Sequence, residues 1–142
     1  MANQTAVRFG YPETLVREYE HWLVLLREPQ PTLGSLILCA KSGATEFSAL
    51  PMEAHVEMGA VVREIEQALK SAFAYDKINY LMLMMADPNV HFHVIPRYAE
   101  PSSACGLEIP DPGWPALPQL GEAQEITSAQ RDDLLAYISG YF

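Results

Sequence analysis

The stretch that decides the predicted fold is Asn89-Val-His-Phe-His-Val-Ile-Pro-Arg97. Successive side chains of a strand point to opposite faces. One face of this strand would carry the apolar residues Val90, Phe92 and Val94. The other would carry the polar residues Asn89, His91 and His93. We expect the apolar face to pack on a helix, which leaves a polar row facing outward.

The polar row has the chemistry of a phosphate site. Three hydrogen-bonding groups in line on one sheet face suit an anion. A neutral imidazole is also a competent nucleophile near neutral pH, and it stays neutral if one ring nitrogen donates to a carbonyl. We therefore expect one of the two imidazoles to attack phosphorus, while the neighbouring imidazole or the amide of Asn89 holds the non-bridging oxygens as charge shifts in the transition state.

The rest of the chain predicts an α+β fold. Apolar residues at steps of three and four predict one long helix over about residues 51–73, and a capping-box pattern opens a C-terminal helix over 127–142. Strands are expected over 34–40, 77–85 and 89–97, with one or two more over 15–27 bent near Glu20. The remaining stretches, expected to be irregular, are the lead-in at 1–14 and the proline-rich segment at 99–126.

Size and charge narrow the classes of partner. The chain has 142 residues, which suits one domain over 1–142. Its formal net charge of -9 repels polynucleotide phosphate, so we expect a small ligand and no nucleic-acid polymer. No apolar run is long enough for a membrane span, and no secretory leader is visible. The expectation is a cytoplasmic protein.

The stretch 89–97 resembles the signature of the histidine triad (HIT) superfamily, His-x-His-x-His followed by apolar residues and often Pro-Arg. The resemblance extends over roughly residues 22–97, including the long helix ahead of the motif. It implies an antiparallel sheet of about five strands with one long helix and a short C-terminal helix. It also implies a homodimer whose sheets join.

The resemblance further implies a function. The middle histidine of the family is the nucleophile on a nucleotide phosphate, which corresponds to His91, and the third contacts the phosphate, which corresponds to His93. A hydrolase or nucleotidyl transferase on phosphoanhydrides or phosphoramidates is therefore expected. No metal or other cofactor is required, although magnesium could accompany a polyphosphate substrate. The residues that would bind the nucleoside are not identified.

Three departures from the family pattern leave an alternative open. Asn89 stands where the first histidine is usual, and it cannot carry a proton. Leu26 lies near the position of a ribose-binding asparagine, and only Ala86-Asp87-Pro88 separates the two predicted strands over 77–85 and 89–97. These departures favour, as an alternative, a weakly active or non-catalytic nucleotide-binding dimer, or a mainly structural dimer.

Two interpretations of the histidines that involve no catalysis also remain. His91 and His93 could be ordinary strand residues on a solvated face, or two ligands of a metal. Zinc normally takes three or four protein ligands, and nothing in the sequence places His21 or His55 nearby. Arg97 is expected to be an exposed arginine at the end of a strand.

Overall fold

The computed structural model describes residues 2–142 and contains a five-stranded antiparallel sheet. The order across this sheet is β1-β2-β3-β5-β4, and a separate two-stranded sheet pairs β6 with β7. The strands are β1 (Leu15–Glu18), β2 (Trp22–Leu26), β3 (Leu36–Ala40), β4 (Lys77–Leu81), β5 (His91–Arg97), β6 (Ser102–Ala104) and β7 (Leu107–Ile109).

Three α-helices accompany the strands: α1 (Gln4–Arg8), α2 (Met52–Phe73) and α3 (Ser128–Ser139). Short 3-10 turns lie at Phe47–Ala49 and Leu120–Glu122. The predicted α+β class, the five strands, the long helix and the C-terminal helix are confirmed. No helix of the part of the chain that the structure describes is long and apolar enough to cross a membrane.

The long helix α2 begins and ends for identifiable reasons. Pro51 is its N-cap, where the missing N–H costs nothing. Ala74 ends it in a left-handed conformation with φ of 52°, and its backbone N–H donates to Lys70. Between these ends, Val61, Ile65 and Leu69 are fully buried on one stripe. The helix therefore covers one face of the sheet.

The catalytic candidate strand β5 lies inside the sheet, between β3 and β4. Val94 of β5, and Val90 just before the strand, are buried in the same cluster as residues of α2, as predicted. Across the sheet His91 pairs with Cys39, and His93 pairs with Ile37 and Leu81. The histidines therefore share the opposite face with the small cluster of Leu23, Leu25, Ile37 and Cys39.

Two expectations of irregular structure and one expected connection length were wrong. The lead-in contains α1, because Asn3 caps it and its inner side finds apolar partners on the sheet. The segment 99–126 contains the β6–β7 hairpin, which turns at Cys105 and Gly106, both with positive φ. The connection between β4 and β5 runs over residues 82–90 and is longer than the predicted connection over 86–88, because β4 ends at Leu81 and β5 begins at His91.

Candidate active site

The predicted polar row is assembled at the start of β5. Asn89 lies just before the strand, and His91 and His93 project from one face of it. The two imidazole centroids are 5.2 Å apart, with an interplanar angle of 71°. The geometry on which the site prediction depends, two imidazoles on the same side of an extended segment, is therefore present.

His91 is held in one tautomer by the backbone. Its Nδ1 lies 2.8 Å from the carbonyl oxygen of Asn89. A carbonyl only accepts, so Nδ1 carries the hydrogen and donates it. In a neutral ring, this tautomer leaves the lone pair on Nε2.

His93 is neutral at physiological pH. Burial lowers its pKa to about 4, and the positive charge of Arg27 and the neighbouring His91 contribute in the same direction. Its Nδ1 is buried without a hydrogen-bond partner among residues 2–142, and so is Nε of Arg27. Unsatisfied buried polar atoms are uncommon in native proteins. The Nδ1 of His93 and the Nε of Arg27 are two such atoms on the histidine face of the sheet.

The row does not face outward as expected, because residues 2–14 cover it. His91 is 2% exposed, and Asn89 and His93 are each 7% exposed. The ring of Phe9 packs against both imidazoles, at centroid distances of 5.5 Å from His91 and 5.8 Å from His93. No sequence pattern predicted this cover, since the lead-in lacks a clear hydrophobic period.

Asn89 binds this N-terminal segment directly. Its Oδ1 accepts from the backbone N–H of Thr5 at 3.2 Å, and its own N–H donates to Oγ1 of Thr5 at 3.0 Å. Its Nδ2 donates to the carbonyl of Gly43 at 3.1 Å. The amide expected to contact phosphate is thus already bound to the protein's own chain in this structure.

Arg27 lies on the histidine face of the sheet, which the sequence analysis did not predict. Leu26, singled out there, is fully buried in the cluster beneath α2, on the opposite face from the histidines. Alternation along β2 places the next residue, Arg27, on the histidine side, where its charge acts on His93. The alternation of side chains along β2 could have assigned Arg27 to this face from the sequence.

Arg97 is not the exposed strand-end arginine that was expected. It is 4% exposed and forms a buried ion pair with Asp111, with Nε to Oδ2 at 2.6 Å and Nη2 to Oδ1 at 3.1 Å. Its Nη1 donates to Asn79, and its Nη2 also donates to Ala116. Arg97 therefore connects the proline-rich segment to the sheet.

The other two histidines lie away from the row. His55 on α2 packs edge-to-face against Phe47. His21 has potential ligand atoms of Glu20 and Glu57 within 4.8 Å, and among residues 2–142 this is the one such group of three. Neither His91 nor His93 belongs to it, so the described residues do not supply them with a third metal ligand.

Cavities of about 120–650 Å³ lie along the described surface, in the regions of Trp114, Ser71, Val56, Tyr11 and Met58. None of these five is lined by His91 or His93. In this conformation the N-terminal segment covers the imidazoles, where the site prediction required an open pocket. The two imidazoles therefore lie side by side under a cover formed by the chain itself.

Comparison with known proteins places this arrangement in a family. Residues 9–100, more than half of the chain, match the family described as HIT domain. No curated protein sequence gives a significant match.

Among solved structures, a histidine triad (HIT) protein from Sinorhizobium meliloti is similar, with a TM-score of 0.78 at 19% identity; 100% of this chain and 96% of that one are covered. A histidine triad protein from Marinobacter aquaeolei has a TM-score of 0.71 at 24% identity, covering 89% and 86% of the two chains. A hypothetical histidine triad nucleotide-binding protein from Sulfolobus tokodaii also has a TM-score of 0.71, at 17% identity, covering 96% and 88%. These likenesses support the fold, and together with the match over residues 9–100 they show that the chain belongs to the HIT domain family.

Proposed function

We propose that this protein hydrolyses or transfers nucleotide phosphate groups through a covalent phosphohistidine at His91. The observation that carries the proposal is the hydrogen bond from Nδ1 of His91 to the carbonyl of Asn89, because it leaves the lone pair on Nε2. Membership of the HIT family supports this assignment. A similar structure from Sulfolobus tokodaii is named a nucleotide-binding protein, which supports a nucleotide as the ligand.

The chemistry proceeds in two displacements. Nε2 of His91 attacks the phosphorus, an N–P bond forms, and the P–O bond to the leaving group breaks with its electron pair on the departing oxygen. Water, or another acceptor hydroxyl, then attacks the phosphorus and loses a proton to solvent. The N–P bond breaks and its electron pair returns to Nε2. His93 donates a hydrogen bond to the phosphoryl oxygens, and Asn89 contributes once it is released from Thr5.

The protonation state of the residues beside His91 favours one class of substrate. Asn89 has no titratable proton, and burial lowers the pKa of His93 to about 4, so its neutral ring is a poor acid at pH 7. A phosphate leaving group departs as an anion without a proton, whereas an amine does not. We therefore propose nucleotide phosphoanhydrides as better substrates than phosphoramidates.

A homodimer remains part of the proposal. β4 is an edge strand of the sheet, with β5 on one side and no strand of the described residues on the other. An exposed edge can pair with the same strand of a second copy. Light scattering after size exclusion would measure the mass of the assembly.

The test of the proposed function is turnover by a His91→Ala variant. The wild type and the variant are incubated with ADP and with a diadenosine polyphosphate, and products are quantified after acid quenching. We expect turnover to fall to background in His91→Ala and to persist in His55→Ala, a matched control on α2. A nucleotide adduct on the peptide containing His91, found by mass spectrometry, would identify the intermediate. Full turnover by His91→Ala would remove this residue from the mechanism.

The burial of the row favours a second candidate, a nucleotide-binding protein with little or no catalysis. Rings that are 2% and 7% exposed do not meet a substrate unless the chain above them moves. The variant Asn89→His separates the candidates. A large gain in hydrolysis would indicate a degraded site, whereas little change would show that asparagine is competent at this position.

A further inference from the structure

We propose that residues 2–14 form a lid that must detach before a phosphate ligand reaches His91, and that the Asn89–Thr5 pair is its latch. This inference rests on the proposed function for its purpose. The structural part of the proposal is that this segment opens while the rest of the protein stays folded, and this part does not depend on catalysis. Asn89 thereby acquires a role different from that of the histidine usual at its position, because it positions the lid.

The latch connects the lid to the nucleophile through one residue. Thr5 and Asn89 exchange two hydrogen bonds, each backbone N–H meeting a side-chain oxygen of the other residue. The carbonyl of Asn89 accepts from His91. An amide offers an acceptor and a donor together, and Asn89 uses both, the donor being directed at Gly43. Closing the lid therefore also fixes the backbone that orients the nucleophile.

The lid is suited to opening as a unit. Its helix α1 has only five residues, too few to be stable alone in water. It stays folded because Thr5 and Ala6 are fully buried against the sheet and because Phe9 covers the imidazoles. On its outer side, the exposed Arg8 forms an ion pair with Asp87, whose side chain is 15% exposed, so opening of the lid also breaks this contact.

The fixed end of the lid lies at Thr14. Its carbonyl accepts from Leu26 of β2 at 2.8 Å, so the chain belongs to the sheet from this point onward. Just before it, Gly10 has a φ of +90°, a left-handed conformation that favours glycine. A Cβ there would lie 2.7 Å from Cγ2 of Thr14. The turn at Gly10 thus separates the docked helix from the fixed strand.

The reactivity of the Cys39 thiol measures opening of the lid independently of catalytic turnover. Cys39 is fully buried on the face beneath the lid, and its Sγ lies 3.8 Å from Oδ1 of Asn3. Burial raises the pKa of its thiol to about 12, so the closed protein resists alkylation at this residue. Cys105, which is partly exposed, provides an internal reference. Opening of the lid would expose Cys39 while the rest of the sheet remains intact.

The experiment measures iodoacetamide labelling of Cys39 by mass spectrometry in the full chain. Thr5→Val removes the oxygen that accepts from Asn89 and leaves a buried N–H unpaired, so we expect labelling about tenfold faster or more. Val7→Ala is the matched control on α1, since Val7 is exposed, and it should label like the wild type. Labelling of Cys105 should not change in either variant.

Leu134→Ala distinguishes opening of the lid from global unfolding. Leu134 lies fully buried in the core on the other side of the sheet, so this variant should lower the melting temperature and leave Cys39 labelling within about twofold. Unchanged labelling in Thr5→Val, or equal acceleration in Leu134→Ala, would overturn the lid. Turnover measured on the same variants tests the proposed function separately. Faster labelling with no turnover in any variant would refute that function and leave the lid standing.

Discussion

The neutral state of His93 predicts a specific dependence of stability on pH. Burial lowers the pKa of His93 to about 4 from an ordinary value of 6.5. Below pH 6.5 the unfolded chain takes up a proton that the folded protein refuses, so the free energy of unfolding falls as the pH falls, until the folded ring is protonated near pH 4. The full difference corresponds to about 3 kcal/mol. Partial screening by solvent reduces our expectation to about 2 kcal/mol.

The assay is urea unfolding of the wild type and of His93→Gln at several pH values from 7 to 4. Glutamine cannot titrate, so the wild type should lose about 2 kcal/mol more than the variant over this range. The carboxylates titrate in both proteins and cancel in the comparison. His55→Gln, the control, should follow the wild type. Parallel curves for wild type and His93→Gln, or an NMR titration of the His93 ring near pH 6.5, would refute the reasoning.

Two further predictions concern the buried ion pair and the leaving group. Asp111→Ala leaves Arg97 buried without its carboxylate and should lower the free energy of unfolding by about 3–5 kcal/mol. By contrast Asp132→Ala, which removes an exposed partner of Arg131, should leave the midpoint of the same urea titration close to that of the wild type. The wild type should cleave ADP faster than an adenosine phosphoramidate. Asn89→His should raise the rate of phosphoramidate cleavage more than the rate of ADP cleavage. Equal gains on both substrates in a product assay would contradict the inference that the wild-type site lacks a proton donor.

Much of the fold followed from local periodicity. The stripe of Val61, Ile65 and Leu69 predicted α2 within a residue at either end, because a long amphipathic helix repeats its signal over many turns. Alternation of polar and apolar residues predicted β5 and placed His91 and His93 on one face, and the structure places them there. The capping box at Thr127 likewise marked the start of α3.

Short elements that depend on distant partners could not be predicted in this way. Helix α1 has no period of its own and exists because it docks on the sheet. The carboxylate of Asp111 neutralises Arg97 from fourteen positions further along the chain, a contact that no local pattern reveals. The alternation of β2 could have assigned Arg27 to the histidine face, but only the assembled sheet brings its charge near His93.

The amino-acid sequence by itself determined which chemistry is possible here: two imidazoles on one strand face, an asparagine in place of a third, and a helix to cover the other face. The tertiary structure alone decided whether that chemistry is accessible. It did so because residues 2–14 lie far from the triad along the chain, and their burial over His91 depends on hydrogen bonds and packing that form only when the sheet is complete.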